Sequence, residues 1–186
     1  MENKRIFIVL TRTNTMLSKM IGIIKNDEYT HASISLSRNL DCMYSFGRKN
    51  KFNPFIGCFA KENLNEGVFG LQKKINGIVL EIEITPEQYD KAKILLNEFI
   101  LNSNSYKYNY FGLICSLLNI EAYRNDRFLC SEFVYYILNE CCAANLNKPR
   151  NLVRPQDLLN LKSRVLFKGN LKKDIEMLPI YKYVEI

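Results

Sequence analysis

Apolar and polar positions along the chain follow two periods. Ile6-Phe7-Ile8-Val9-Leu10 is a short, wholly apolar run that reads as a strand. His31-Ala32-Ser33-Ile34-Ser35-Leu36-Ser37 alternates strictly. Ala32, Ile34 and Leu36 therefore take one face of a half-buried strand, and His31 joins the serines on the other. After a turn at Arg38-Asn39-Leu40-Asp41, Cys42 to Gly47 reads as a second strand, and the two form a hairpin. Ile78 to Thr85 alternates again, with Ile78, Leu80, Ile82 and Ile84 facing in and Glu81 and Glu83 facing out.

Elsewhere the spacing is helical. Asn14 or Thr15 is placed to cap a short helix over Met16 to Lys25, whose apolar positions are Leu17, Met20, Ile21 and Ile24. Thr85-Pro86-Glu87 opens a longer helix, with Thr85 as N-cap, Pro86 at the first helical position and an apolar stripe of Tyr89, Ala92, Leu95, Leu96, Phe99 and Ile100. Tyr110 to Leu118 reads as helical. Beyond the charged turn Tyr123 to Arg127, another helix begins near Leu129 and ends near Ala144. Pro155-Gln156-Asp157-Leu158-Leu159 starts a short helix, and Val165 to Phe167 and Tyr181 to Ile186 read as closing strands. Lys49 to Asn76, with Pro54, Gly57, Gly67 and Gly70 among aromatics, reads as one long loop able to cover a site. No repeat or linker divides the chain, so 1–186 is expected to be one α+β domain.

Composition narrows the function classes. With 47% hydrophobic and 24% charged residues the chain has the makeup of a globular protein and can bury a core without disulfides or metal. The first apolar run is too short for a signal segment or a membrane span, and the expectation is a cytoplasmic location. In that setting Cys42, Cys58, Cys115, Cys130, Cys141 and Cys142 are expected to be thiols. With no C-x-x-C pair and one histidine, neither a metal nor another cofactor is expected. The net charge of +7 raises nucleic acid or an anionic membrane surface as a partner. The basic residues are scattered, apart from Arg48-Lys49-Asn50-Lys51 and Lys168 to Lys173, and no helix carries a basic stripe. Nucleic acid is therefore not expected, and peripheral contact with an anionic membrane is kept. Oligomeric state is not legible.

The chemistry rests on two residues. His31 is the only histidine, displayed on a polar strand face, and its ordinary pKa suits proton transfer near neutral pH. A solvated surface histidine fits the same pattern. Cys130 stands where a helix starts, and the unpaired N–H groups and helix dipole there favour a thiolate and can hold an oxyanion. Plain packing also fits, because Cys130, Phe133, Val134, Ile137, Leu138 and Cys141 form a core stripe in which cysteine is a small hydrophobe.

Together, Thr30-His31-Ala32-Ser33-Ile34-Ser35-Leu36, Met43-Tyr44-Ser45-Phe46-Gly47-Arg48 and Phe128-Leu129-Cys130-Ser131-Glu132-Phe133-Val134 resemble the circularly permuted NlpC-like branch of the papain-like superfamily. That branch includes the YiiX-like proteins and is related to the lecithin retinol acyltransferase-like enzymes. Its histidine precedes its cysteine, as His31 precedes Cys130 here. Arg154-Pro155-Gln156-Asp157-Leu158 is similar to a Pro-x-Asp-Leu stretch that follows the cysteine helix in relatives.

The resemblance implies a papain-like fold, a central antiparallel sheet with the cysteine helix packed on it. It implies Cys130 as nucleophile, His31 as general base, and a third, imidazole-orienting polar residue at or near Ser45. A three-residue hairpin turn puts Ser45 on the His31 face, and a four-residue turn puts Tyr44 there instead. Tyr44, with Tyr108 or Tyr110, is expected to line the substrate site. The implied activity is a cysteine hydrolase that opens an amide, ester or thioester bond of a peptide or lipid-like acyl substrate through a thioester acyl-enzyme. The alternative is a non-catalytic or acyltransferase-like module of the same fold, holding a lipid or acyl chain under Phe52-Asn53-Pro54-Phe55.

Overall fold

The computed structural model describes residues 3–12, 27–48 and 57–173, and over them the chain is α+β. The helix expected over Met16 to Lys25, the Phe52 to Phe55 loop, the basic run through 49–51 and the strand expected over Tyr181 to Ile186 lie outside the described residues. The strands are β1 (Lys4–Thr11), β2 (His31–Ser35), β3 (Met43–Arg48), β4 (Gly57–Glu62), β5 (Asn76–Ile84), β6 (Lys107–Tyr108), β7 (Arg127–Phe128) and β8 (Arg164–Asn170). They form one sheet in the order β7-β6-β4-β3-β2-β1-β5-β8. Every described pairing is antiparallel except that of β6 with β7, so the sheet is mixed.

The helices are α1 (Gly67–Gly70), α2 (Pro86–Leu101), α3 (Tyr110–Leu117) and α4 (Cys130–Glu140). Thr85 caps α2 as its side chain suggests: Gln88 N–H donates to Thr85 Oγ1 at 3.3 Å, and Thr85 N–H donates to Gln88 Oε1 at 3.0 Å. α4 ends at Glu140 rather than near Ala144. Cys142 takes the left-handed conformation (φ 60°), while the Ala143 N–H reaches the Leu138 carbonyl and the Cys142 N–H that of Asn139, closing a Schellman turn. The helix expected from Pro155 is a 3-10 segment, Pro155–Asn160.

Both faces of the sheet are covered. On one, Phe133, Val134, Ile137 and Leu138 of α4 and Ala92, Leu96 and Phe99 of α2 pack over Ile8, Ala32, Ile34, Phe46, Phe59 and Leu80. On the other, Phe7, Val9, Met43 and Val79 meet Leu64, Phe69 and Leu171. This second layer corrects the expected outward position of Glu81, which is buried. Glu81 stands opposite Arg164 in the β5–β8 register and accepts a hydrogen bond from its Nε at 2.8 Å.

The span read as one long loop, Lys49 to Asn76, also needs correcting. It contains β4, which pairs with β3 from Met43↔Glu62 to Arg48↔Gly57, and the single turn of α1.

Candidate active site

Cys130 is the first residue of α4, entered from an extended Leu129. The Leu129 N–H is taken by Glu132 Oε2 at 3.1 Å, and the first intrahelical bond runs from Phe133 N–H to the Leu129 carbonyl. The N–H groups of Cys130 and Ser131 in between fall in the first turn and have no partner within the helix. The Cys130 side chain is buried but not sealed. It borders a cavity of about 30 Å³, room for about one water, whose other walls include Thr30, Tyr108, Leu113 and Arg154.

His31 starts β2, next to the point where β3 parts from it: the β2–β3 ladder comprises Ile34↔Tyr44 and Ser35↔Met43. The imidazole Nε2–H donates to both oxygens of Glu62 at 3.0 Å, and Ser33 Oγ donates to Glu62 Oε2 at 2.6 Å. The ring also rests edge-on against Phe69, with centroids 5.8 Å apart. Gly47 makes room for this pair, because a Cβ there would lie 3.3 Å from Glu62 Oε1 and 3.7 Å from His31 Cε1.

The remaining partner of the imidazole is the thiol. Burial pushes the His31 pKa down, but the Glu62 charge, a side-chain hydrogen bond with Cys130 and the hydrogen bond to Glu62 outweigh it. Its pKa stands well above the ordinary 6.5. Glu62 occupies Nε2 and leaves Nδ1 as the ring nitrogen with capacity for a further partner.

Two of the sequence expectations change. Ser45 does not orient the imidazole. It is fully buried and donates its hydroxyl to the Ala32 carbonyl at 2.6 Å, one step beyond the last β2–β3 pair, filling the place of a ladder bond where the strands part. The group at the imidazole is Glu62, which sequence reasoning missed because it lies in the span taken as loop. Tyr44 is not at the site either: adjacent to Ser45, it points to the opposite face of β3 and stacks on Phe59, with centroids 5.8 Å apart.

Tyr108 does reach the site. It is buried beside Cys130, and burial, followed by the charges of Cys130, Tyr110 and Glu132, raises its phenol well above its ordinary pKa. Tyr110 packs against it, with ring centroids 4.9 Å apart.

The segment carrying the Pro-x-Asp-Leu stretch buttresses the strand that holds His31. Gln156 Oε1 accepts the N–H groups of Glu28 and Tyr29 at 3.0 and 3.2 Å, and Arg154 Nη1 donates to both oxygens of buried Asp27. Ser131 Oγ donates to the Val153 carbonyl at 2.6 Å, tying the same segment to α4. The segments that carry His31 and Cys130 are thus tied to one another through this stretch.

Among the described residues no group of three or more His, Cys, Asp or Glu is arranged to hold a metal ion, and no helix is long and apolar enough to cross a membrane. Comparison with family models, with curated proteins and with solved structures finds no match to this chain.

Proposed function

We propose that this chain is a cysteine hydrolase of the permuted NlpC-like, papain-like type, acting on an amide, ester or thioester carbonyl. The observation that carries this reading is the chain of contacts Cys130, His31, Glu62: a thiol at a helix start, an imidazole beside it, and a carboxylate on the far nitrogen of the ring. The order of histidine before cysteine is that of the permuted branch.

The chemistry follows from the polarity of that chain. His31 takes the proton of Cys130 at Nδ1, and Glu62 stabilises the resulting imidazolium through Nε2–H. The thiolate attacks the carbonyl carbon, an S–C bond forms, and the displaced electron pair settles on oxygen, facing the N–H groups of Cys130 and Ser131. When the tetrahedral species collapses, the bond to the leaving amine or alcohol breaks and His31 supplies its proton. Water, deprotonated by His31, then attacks the thioester. The S–C bond breaks, the acid leaves and the thiolate returns.

The test is competitive alkylation with iodoacetamide, read thiol by thiol by mass spectrometry. Cys130 should react fastest of the six cysteines at neutral pH, and His31→Ala should slow it at least tenfold. Uniform sluggish labelling of all six would reject the reading.

A second reading, an acyl-binding module of the same fold, draws on α3. Phe111, Ile114 and Leu118, at positions i, i+3 and i+7, are 68%, 58% and 66% exposed. Flotation of a Cys130→Ala variant with anionic vesicles separates the two. Binding that survives, together with no covalent adduct on the wild-type thiol from acyl probes, favours the module.

A further inference from the structure

We propose that the open cleft on the far side of Tyr108 is a subsite for an extended, acidic peptide segment of the substrate, selected by Lys107 and Arg127. The inference rests on the thiol-hydrolase reading and names its substrate class.

The cleft has a volume of about 550 Å³ and shares one wall, Tyr108, with the cavity at Cys130. A chain lying in it meets Tyr108, the ring that also walls the cavity at Cys130. One side is the outer edge of β4 from Gly57 to Ala60, and the other is the turn at Ser103 and Asn104. β6 pairs with β4 only at Cys58↔Lys107, so among the described residues no strand lies beside β4 at Phe59 and Ala60. A sheet edge of this kind takes up an extended peptide through main-chain hydrogen bonds.

Charge and shape decide what kind of peptide. Lys107 and Arg127 line the cleft and no Asp or Glu does. Lys107 is exposed and makes no ion pair among the described residues. Among the described residues the carboxylate paired with Arg127 is Asp126, which is 3.6 Å from it and sits nearer to Arg124, at 3.0 Å. The remaining walls are tyrosine rings, the Phe59 ring and small or polar side chains, and among the described residues no Leu, Ile, Val or Met lines it. An acyl chain would find little aliphatic surface there, whereas a carboxylate side chain on an extended backbone finds two cations and flat rings.

The experiment uses peptide chloroacetamides that differ at one residue, Glu, Gln or Lys, with plain chloroacetamide as reference. The readout is the rate of Cys130 alkylation on the full chain. The Glu probe should outpace the Lys probe about fivefold, the size expected of two partly exposed cations, and the gap should shrink at high salt. In Lys107→Ala/Arg127→Ala the two rates should converge to within about twofold. In Lys107→Glu/Arg127→Glu the order should invert, a gain for the Lys probe that misfolding cannot imitate.

Equal rates for all probes on a Cys130 that still reacts with plain chloroacetamide would overturn the subsite and leave the hydrolase reading standing. So would a Glu preference that persists in the double variants. Protection of Cys130 by anionic phospholipid vesicles but not by a Glu peptide would overturn it in favour of a lipid. A Cys130 no more reactive than the other thiols would remove the hydrolase reading, and this subsite with it.

Discussion

Burial alone would hold the His31 imidazole neutral, and the Glu62 carboxylate at 3.0 Å, helped by Cys130, reverses the sign. Because His31 is the only histidine, proton NMR follows its ring without assignment. The wild-type titration midpoint should lie well above 6.5. In Glu62→Gln the desolvation stays and the charge goes, so the midpoint should drop, and an unmoved midpoint would reject the role of Glu62. The linkage has a definite direction. A histidine whose folded pKa is raised contributes stability that is whole below about pH 6.5 and is lost as the pH climbs through the folded value. The wild-type advantage in Tm over Glu62→Gln should therefore narrow as pH rises. At this scale the sequence was uneven. A lone histidine on a serine face and a cysteine at a helix start carry their chemistry in their neighbours. Glu62, in Lys61-Glu62-Asn63, looks like any solvated carboxylate until β4 is laid beside β3.

The start of α4 shows the same limit one level up. Glu132, two residues after Cys130, is fully buried, accepts from Leu129 N–H and receives Arg150 Nε at 3.1 Å. Burial pushes its carboxyl up to about 7, against the pull of the Leu129 N–H, Arg150 and Asn109. With the folded value above the ordinary 4.5, the favourable share is whole below about pH 4.5 and is lost as the pH rises through about 7, a swing of about 3 kcal/mol. Urea unfolding from pH 5 to 8 should show wild-type stability falling, Glu132→Gln losing less over that range, and Arg150→Ala losing more, because the buried carboxylate keeps its desolvation without its counter-charge. A Glu132→Gln profile parallel to wild type would reject this account. The element itself was legible, since its stripe of Phe133, Val134, Ile137 and Leu138 is strong. β4 was not, because Gly57-Cys58-Phe59-Ala60-Lys61-Glu62 offers a single large apolar side chain to alternate. The available signal was length: a structureless span from Lys49 to Asn76 inside a compact domain is itself evidence against a loop.

Across the whole molecule the candidate site is assembled from β2, β4 and α4, elements separated by most of the chain, and held by a segment that also walls the cavity at Cys130. Arg154 links Asp27, just upstream of His31, to Asp157, while Ser131 bonds the Val153 carbonyl and Gln156 receives the Glu28 and Tyr29 N–H groups. The strand bearing the imidazole and the helix bearing the sulfur are thus referenced to one short stretch, 153–157. That gives the Pro-x-Asp-Leu resemblance a physical content that residue types alone do not convey. Arg154→Ala takes two charge-assisted hydrogen bonds from buried Asp27, a loss of about 2 kcal/mol. The Tm should fall accordingly, and below the transition Cys130 alkylation should slow several-fold as β2 shifts against α4. Arg154→Lys, which keeps the charge but not the two nitrogens that reach Asp27 and Asp157 separately, should recover part of the stability and little of the alkylation rate. If alkylation stays at the wild-type rate while stability drops, Arg154 holds the fold alone, and the alignment of sulfur and imidazole is set within the sheet and α4 themselves.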